Sequence, residues 1–314
     1  MADRLSVIIP VFNEALSLER TIKDLLFELD SLGIGYDVTL IDDGSIDDSW
    51  LLIEKLANKH GGVIRGIKLS KNFGKDSAIL AGLQNIESDL YLIVDADGEH
   101  PFEMIGEFYG VLVHSGCDVV NGVKGSRRGS VFYKFLSRVF NKVFASLAGL
   151  DLAESSDFKL FNRKFRDALL GYGDCDYFFR GVAKDVGFKS ENVVFDERTG
   201  VACNSSWTIK GLVVYAWNSI INFSHFPLYF ILLLGFSSIL LALGVGVKIL
   251  IVIGSDVVPD GYLTLLFLSL ISFGMIMSSI GVIGVYLSKI FDAIKSRPRF
   301  IIESKVVGGE SESI

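Results

Sequence analysis

Apolar residues fall into two regimes along this chain. Over roughly the first two hundred positions they form short β-rich runs that alternate with stretches patterned at helical spacing. Leu5-Ser-Val-Ile-Ile9, Asp37-Val-Thr-Leu-Ile41, Val63 to Leu69 and Leu90-Tyr-Leu-Ile-Val94 read as strands. Helices are predicted between them, from Ala15 to Leu32, Asp47 to Lys59 and Lys75 to Gln84, with Asp47 or Asp48 as the cap of the second. This β-α-β-α-β-α-β order predicts an α/β fold, a mostly parallel sheet with helices on both faces. Ligands of such sheets gather at the carboxyl ends of the strands.

The second regime is C-terminal. Gly211 to Val247 is a run of 37 residues without Asp, Glu, Lys or Arg, and Gly261 to Ser288 is another of 28. A bilayer core about 30 Å thick needs roughly 20 apolar helical residues. Two membrane spans are therefore predicted, 228–253 and 262–287. Their linker, Gly254 to Gly261, has no basic residue, whereas Lys210 precedes the spans and Lys289, Lys295, Arg297 and Arg299 follow them. By the positive-inside rule the linker is outside and both termini are cytosolic. Residues 1–25 carry no apolar run of signal type. The expectation is an integral protein of the cytoplasmic membrane.

The predicted organisation is a cytosolic domain over 1–206, an interfacial segment over 207–226, two spans with a short external linker over 227–288, and a basic flank with a flexible tail over 289–314. Trp207, Tyr215, Trp217 and Phe223 suit the membrane boundary. So does 131–150, where Lys134, Arg138 and Lys142 share one helix face opposite a broad apolar one. Gly274, Ser278, Ser279 and Gly281 would permit close helix approach, in one chain or in a homo-oligomer.

Charge and cysteine content narrow the function. The formal net charge of −7, from 30 basic and 37 acidic residues, argues against a nucleic-acid partner. Three cysteines without CxxC suggest neither a disulfide framework nor a zinc site, and the four histidines lack metal-ligand spacing. Between the first strand and helix stands Pro10-Val-Phe-Asn-Glu14, with neither GxGxxG nor a Walker A sequence. A dinucleotide enzyme and a P-loop NTPase are disfavoured. Acidic pairs instead end two strands, Asp42-Asp43 and Asp95-Ala-Asp97. Carboxylates gathered at one sheet edge repel one another unless a cation offsets them, and Mg²⁺ or Mn²⁺ takes such oxygen ligands.

Val7-Ile-Ile-Pro-Val-Phe-Asn-Glu14, Ile41-Asp-Asp-Gly-Ser45, Leu69-Ser-Lys-Asn-Phe-Gly-Lys75 and Val94-Asp-Ala-Asp97 together resemble family 2 glycosyltransferases of the GT-A fold. Ser156-Asp-Phe-Lys-Leu160, the two apolar runs, and Gly281-Val-Ile-Gly-Val-Tyr-Leu287 to Ser296-Arg-Pro298 extend the likeness to the polyisoprenyl-phosphate glycosyltransferases, which include bactoprenol glucosyltransferases and dolichyl-phosphate mannose synthases. The resemblance implies inverting transfer of a sugar from a nucleotide-sugar, UDP before GDP, to a polyprenyl phosphate such as undecaprenyl phosphate. It implies Pro10, Val11, Asn13 and Glu14 by the nucleotide and Asp43 at the base. Asp95 and Asp97 would sit at the diphosphate, with Asp97 the foremost metal ligand, and Glu99, a residue the family pattern does not have, adds a further candidate ligand. Asp157 would be the acceptor-side catalytic carboxylate, as base or as a group that orients a sugar hydroxyl or a cation. Lys124, Arg127, Arg180 and Arg198 are candidates for phosphate contacts.

The chain departs from that pattern in three places. Glu99 replaces a Gln, Gly200 and Ser206 stand where the group has Arg and Lys, and the Arg usual near Tyr177 is absent. Two other readings stay open, a processive polysaccharide synthase and a catalytically inactive membrane scaffold. The QxxRW motif of the synthases is absent, since Gln84 is followed by Asn85-Ile-Glu87.

Overall fold

The computed structural model describes residues 4–125, 156–171, 179–196, isolated positions between 231 and 247, 261–295, 298–308 and 310–313. Two compact units are present. One comprises Met1–Val143, Leu150–Ser206 and Pro298–Ile314, and the other Phe144–Gly149 and Trp207–Arg297.

The first unit is built on a sheet laid down in the order the apolar pattern predicts. Strands β1 (Leu5–Val11), β2 (Tyr36–Asp42), β3 (Ile64–Leu69) and β4 (Leu90–Ile93) alternate with helices α1 (Leu18–Ser31), α2 (Ser49–Lys59) and α3 (Lys75–Asn85). A 3-10 turn (Phe102–Met104) and α4 (Ile105–Ser115) lead to β5 (Val119–Lys124). After 126–155 come β6 (Lys159–Asn162), α5 (Arg163–Gly171), α6 (Phe179–Asp185) and β7 (Ser190–Phe195). The sheet order is β7-β5-β6-β4-β1-β2-β3-β8-β9, where β8 is Ile302–Val307 and β9 is Glu310–Ser313. β1 pairs parallel with β2 and β4, β2 with β3, and β5 with β7. Only β6 and β8 run against the common direction among the described strands. The mostly parallel α/β reading is borne out.

Two apolar clusters sandwich this sheet. Leu5, Val7, Ile9 and Val11 face one way, against α1, α2 and α4; Ile8, Ile41 and Ile93 face the other, against α3, α5 and α6. That is the period-2 alternation of a strand buried on both faces. The N-cap of α2 is Asp48, and Asp47 just before it accepts the Ser49 N–H on Oδ1 at 3.0 Å. Arg166 closes the other end of α3, donating to the Leu83 carbonyl at 2.7 and 2.9 Å and to Ile86 at 3.1 Å.

The tail corrects the sequence reading. Ile302–Val307 and Glu310–Ser313, in a segment expected to be flexible, pair antiparallel as two strands on the outer edge of β3. Val306 is buried there, and its Cγ1 lies where a Cβ on Gly66 would come within 2.7 Å. Alternation in Ile302-Glu-Ser-Lys-Val-Val307 is enough to make a strand once an open edge is available.

In the second unit α7 (Tyr262–Ile294) coincides with the second predicted span. Ile271–Ser288 within it is long and apolar enough to cross a membrane, with mean hydropathy 1.7 and none of it buried. It is the one such helix among the described residues. The first predicted span, 228–253, lies largely outside them. Its described positions are helical, and Ser238 donates to the sulfur of Met275 on α7. The interfacial segments 131–150 and 207–226 lie outside the described residues.

Candidate active site

The carboxyl ends of β1, β2 and β4 meet in a cleft of about 260 Å³, lined by Pro10, Val11, Phe12, Glu14, Asp43, Asn72, Gly74, Lys75, Asp95, Ala96 and Asp97. Loops rather than strands make its walls. Asn13, at φ +56°, accepts the Ile46 N–H on its side-chain oxygen at 2.9 Å and donates its own N–H to Ser45 Oγ at 3.0 Å. Glu14 N–H donates to Ser49 Oγ at 2.9 Å. These bonds lace the loop after β1 to the loop after β2.

Gly44 permits a second close approach. At φ +70°, an added Cβ would sit 2.4 Å from the Lys71 carbonyl carbon, so only glycine lets the two loops touch. Beside it the buried Asp43 accepts the Phe73 and Gly74 N–H groups at 2.7 and 2.9 Å. Burial raises its pKa against those two bonds. Asp43 borders the cleft, with both oxygens already engaged by the loop that precedes α3.

That loop delivers Lys75, to which the sequence reading assigned no role. Its Nζ lies 2.6 Å from Asp95 Oδ1 and 2.6 Å from Asp157 Oδ2. Topology explains the meeting. β6 is antiparallel to β4 with Ile93 opposite Lys159, so Asp157, two residues before Lys159, arrives at the edge where Asp95 leaves β4. Arg180 on α6 completes the chain, donating from Nε and Nη2 to the two Asp157 oxygens at 2.6 and 2.7 Å. Burial pushes the Asp157 carboxyl up, but Lys75 and Arg180 outweigh it and hold the group far below the usual carboxylate range. Asp95 is likewise shifted down, the Lys75 charge and hydrogen bond outweighing burial.

His100 is the other residue the sequence did not single out. It is buried and stacked on Phe158 at 4.7 Å between ring centroids, and its Nδ1 accepts the Asp95 N–H at 3.2 Å. Phe108 and Phe195 pack on the same Phe158, so one aromatic cluster fixes both the turn after β4 and the start of β6.

Asp97 faces the cleft. Its Oδ1 accepts the Glu99 N–H at 2.9 Å, which closes the turn. Glu99 contributes that backbone bond and does not line the cleft. Glu14 is shifted upward, by burial first and then, against the Ser17 hydrogen bond, by the charges of Asp97, Asp47 and Asp95. Glu14, Asp95 and Asp97 therefore make a field of hard oxygen donors, which suits Mg²⁺ or Mn²⁺. No cluster of three His, Cys, Asp or Glu among the described residues could hold a metal ion by itself. One or two carboxylates plus substrate phosphates is the usual way Mg²⁺ is held. Of the basic candidates, Arg180 is at the site, Lys124 ends β5, and Arg127 and Arg198 lie outside the described residues.

Behind the site Asp76 accepts the Phe179 N–H at 3.2 Å, and burial with the nearby Asp157 charge raises its pKa to about 6. The ordinary value is 3.8, so the native state binds the extra proton between pH 4 and 6 and loses stability as pH rises through that window. Asp76→Asn removes the ionisation. At pH 8 it is expected to stabilise by about 1–2 kcal/mol, allowing for partial solvent screening. The gain should vanish toward pH 4. Denaturant unfolding at the two pH values checks this, and a pH-independent difference would contradict it.

Residues 6–187 match the family described as Glycosyl transferase family 2. The chain belongs to that family. It is 31% identical over 316 residues to YkoT, an uncharacterized glycosyltransferase of Bacillus subtilis, covering 95% of this chain and 91% of the relative. It is 28% identical over 314 residues to the undecaprenyl-phosphate 4-deoxy-4-formamido-L-arabinose transferase of Yersinia pestis, covering 98% and 94%. Among solved structures it is similar to glucosyl-3-phosphoglycerate synthase of Mycobacterium tuberculosis, 18% identical with a TM-score of 0.49 over 70% of this chain and 79% of that one. The mannosyltransferase PcManGT of Pyrobaculum calidifontis, in complex with GDP-Man and Mn²⁺, gives 18% and 0.47, over 66% and 59%. The family 2 resemblance is borne out, and the chain is a glycosyltransferase.

Proposed function

We propose that this glycosyltransferase moves one sugar, with inversion at C1, from a nucleotide-sugar to a polyprenyl phosphate at the cytoplasmic face of the membrane. UDP is the favoured nucleotide and undecaprenyl phosphate the favoured acceptor. The observation that carries the reading is the ionic chain Asp95–Lys75–Asp157–Arg180 across the end of the cleft. It sets a donor-side carboxylate and an acceptor-side carboxylate one lysine apart. The Yersinia relative, named for undecaprenyl phosphate, supports the acceptor, and the apolar helix α7 supports a lipid one.

In the reaction an acceptor phosphate oxygen bonds to C1 as the bond from C1 to the diphosphate oxygen breaks, its electron pair leaving with the diphosphate. The second pKa of a phosphate monoester is about 6, so the acceptor is largely ionised at neutral pH and needs no strong base. Asp157, held ionised, keeps Lys75 and Arg180 at the reacting phosphates rather than taking a proton. Pro10, Val11 and Glu14 border the nucleotide, Asn13 ties the loop that carries them, and Asp43 fixes the opposite wall. Asp97 and Asp95 would hold Mg²⁺ or Mn²⁺, which when bound neutralises diphosphate charge as a Lewis acid.

The test is transfer in purified membranes, with labelled UDP- and GDP-sugars, undecaprenyl phosphate, Mg²⁺ or Mn²⁺, and EDTA. One labelled sugar per lipid, lost with EDTA, is expected. Growing polymer would instead indicate a processive synthase, and no transfer from any donor would indicate a scaffold.

A further inference from the structure

We infer that the C-terminal strand β8 is part of the active site's framework: it braces the loop 70–74 and so positions Lys75. The inference deepens the proposed transfer reaction and rests on it for the meaning of Lys75, though the brace itself is a matter of contacts.

Lys75 must hold two carboxylates at once, at 2.6 Å each, from the first turn of α3. An error of an ångström there would break one ion pair. The loop that sets its position has two anchors. On the cleft side Asp43 takes the Phe73 and Gly74 N–H groups. On the far side the Ser70 N–H donates to the Ile301 carbonyl at 2.9 Å, just where the β3–β8 register shifts between Lys68 and Leu69. Phe300 and Ile302 pack with Phe73 on the apolar cluster that contains Ala78 and Ile79 of α3. Further along β8, Lys305 Nζ donates to Asn85 Oδ1 at 2.8 Å, at the last residue of α3. Strand β8 therefore grips α3 and its leading loop at both ends. An edge strand that merely covered β3 would need only the ladder and Val306.

The anchoring segment begins a few residues after Ile294, the end of α7. The apolar helix is thus joined by a short piece of chain to the strand that holds the catalytic-side lysine.

The test compares wild type with Phe300→Ala/Ile302→Ala, with the conservative Phe300→Leu/Ile302→Val, and with a chain ended after Ser296. Amide exchange of residues 70–76 is measured alongside initial transfer rates. The alanine pair is expected to raise exchange at 70–76 by tenfold or more. It should lower kcat with little change in acceptor KM, and the conservative pair should restore both. Unchanged exchange at 70–76 in the alanine pair, or a truncated chain that transfers at the wild-type rate, would overturn the inference. If the truncated chain does not fold, the point variants decide. If wild type transfers no sugar at all, the reaction assignment fails while the exchange data still decide the brace.

Discussion

Asp97→Ala is expected to lower kcat by about 10³-fold or more, the scale of losing a group that stabilises developing charge. The fold should survive. Asp97 is only half-buried, and the hydrogen bond it makes is local, to the Glu99 N–H at 2.9 Å. The informative partner is Asp97→Asn, which keeps an oxygen for that N–H and removes the charge. If Asp97 serves through charge, toward a cation and the diphosphate, Asn should be nearly as inactive as Ala, and excess Mn²⁺ should recover part of the rate. If it served only to close the turn, Asn would keep most of the activity. Initial rates across a Mn²⁺ titration, with melting temperatures as control, separate the two. Asp95→Asn is a different experiment. It strips Lys75 of a counter-charge at 2.6 Å while leaving the backbone N–H that His100 accepts, so it should cost stability as well as rate.

The contrast between these neighbours shows what the sequence could and could not reveal. The strands β1 to β4 were legible as short β-rich runs separated by stretches of helical spacing, two of them, β2 and β4, leading into acidic pairs. Their carboxyl ends followed from the alternating order alone, and so did the place of Asp43, Asp95 and Asp97. Lys75 was not legible. Its two partners lie 20 and 82 positions away in sequence, and a lysine at the start of a helix reads as solvated charge. His100 was hidden for a related reason: its role comes from Phe158, the residue just before a strand that reverses direction. The antiparallel β6 is the step that no local pattern announces, yet it is what carries Asp157 to the cleft. The tail failed in the opposite sense. Three glutamates, Glu303, Glu310 and Glu312, give the tail the look of a solvated end, but its strands satisfy an open β3 edge, and the pairing spans more than two hundred residues. Non-local pairing leaves no periodic trace except alternation.

Asp157→Asn is expected to lower the plateau rate by about 10²-fold, the cost of misplacing groups at a reacting centre by an ångström. The acid limb of the pH profile should remain. In the wild type Asp157 is ionised throughout the neutral range, because Lys75 and Arg180 overcome the effect of burial. It cannot set a limb near neutrality. The acceptor phosphate can: below about pH 6 it takes up a proton and falls from the dianion to the less nucleophilic monoanion, so the rate falls as pH falls. Asn leaves that ionisation untouched, and the limb should stay in place beneath a lower plateau. Were Asp157 the base, the substitution would abolish the limb instead. Stability should drop too, since Lys75 and Arg180 lose a buried counter-charge. Both cations are about 40% exposed, which brings the cost of the broken pairs down to about 1–3 kcal/mol. Arg180→Lys sharpens the same point. It keeps the charge but cannot make the two parallel bonds of 2.6 and 2.7 Å, so part of the loss should appear without any change in net charge. A plateau that falls with both variants while the limb holds its position would establish Asp157 as the residue that orders two cations, and the acceptor as its own nucleophile.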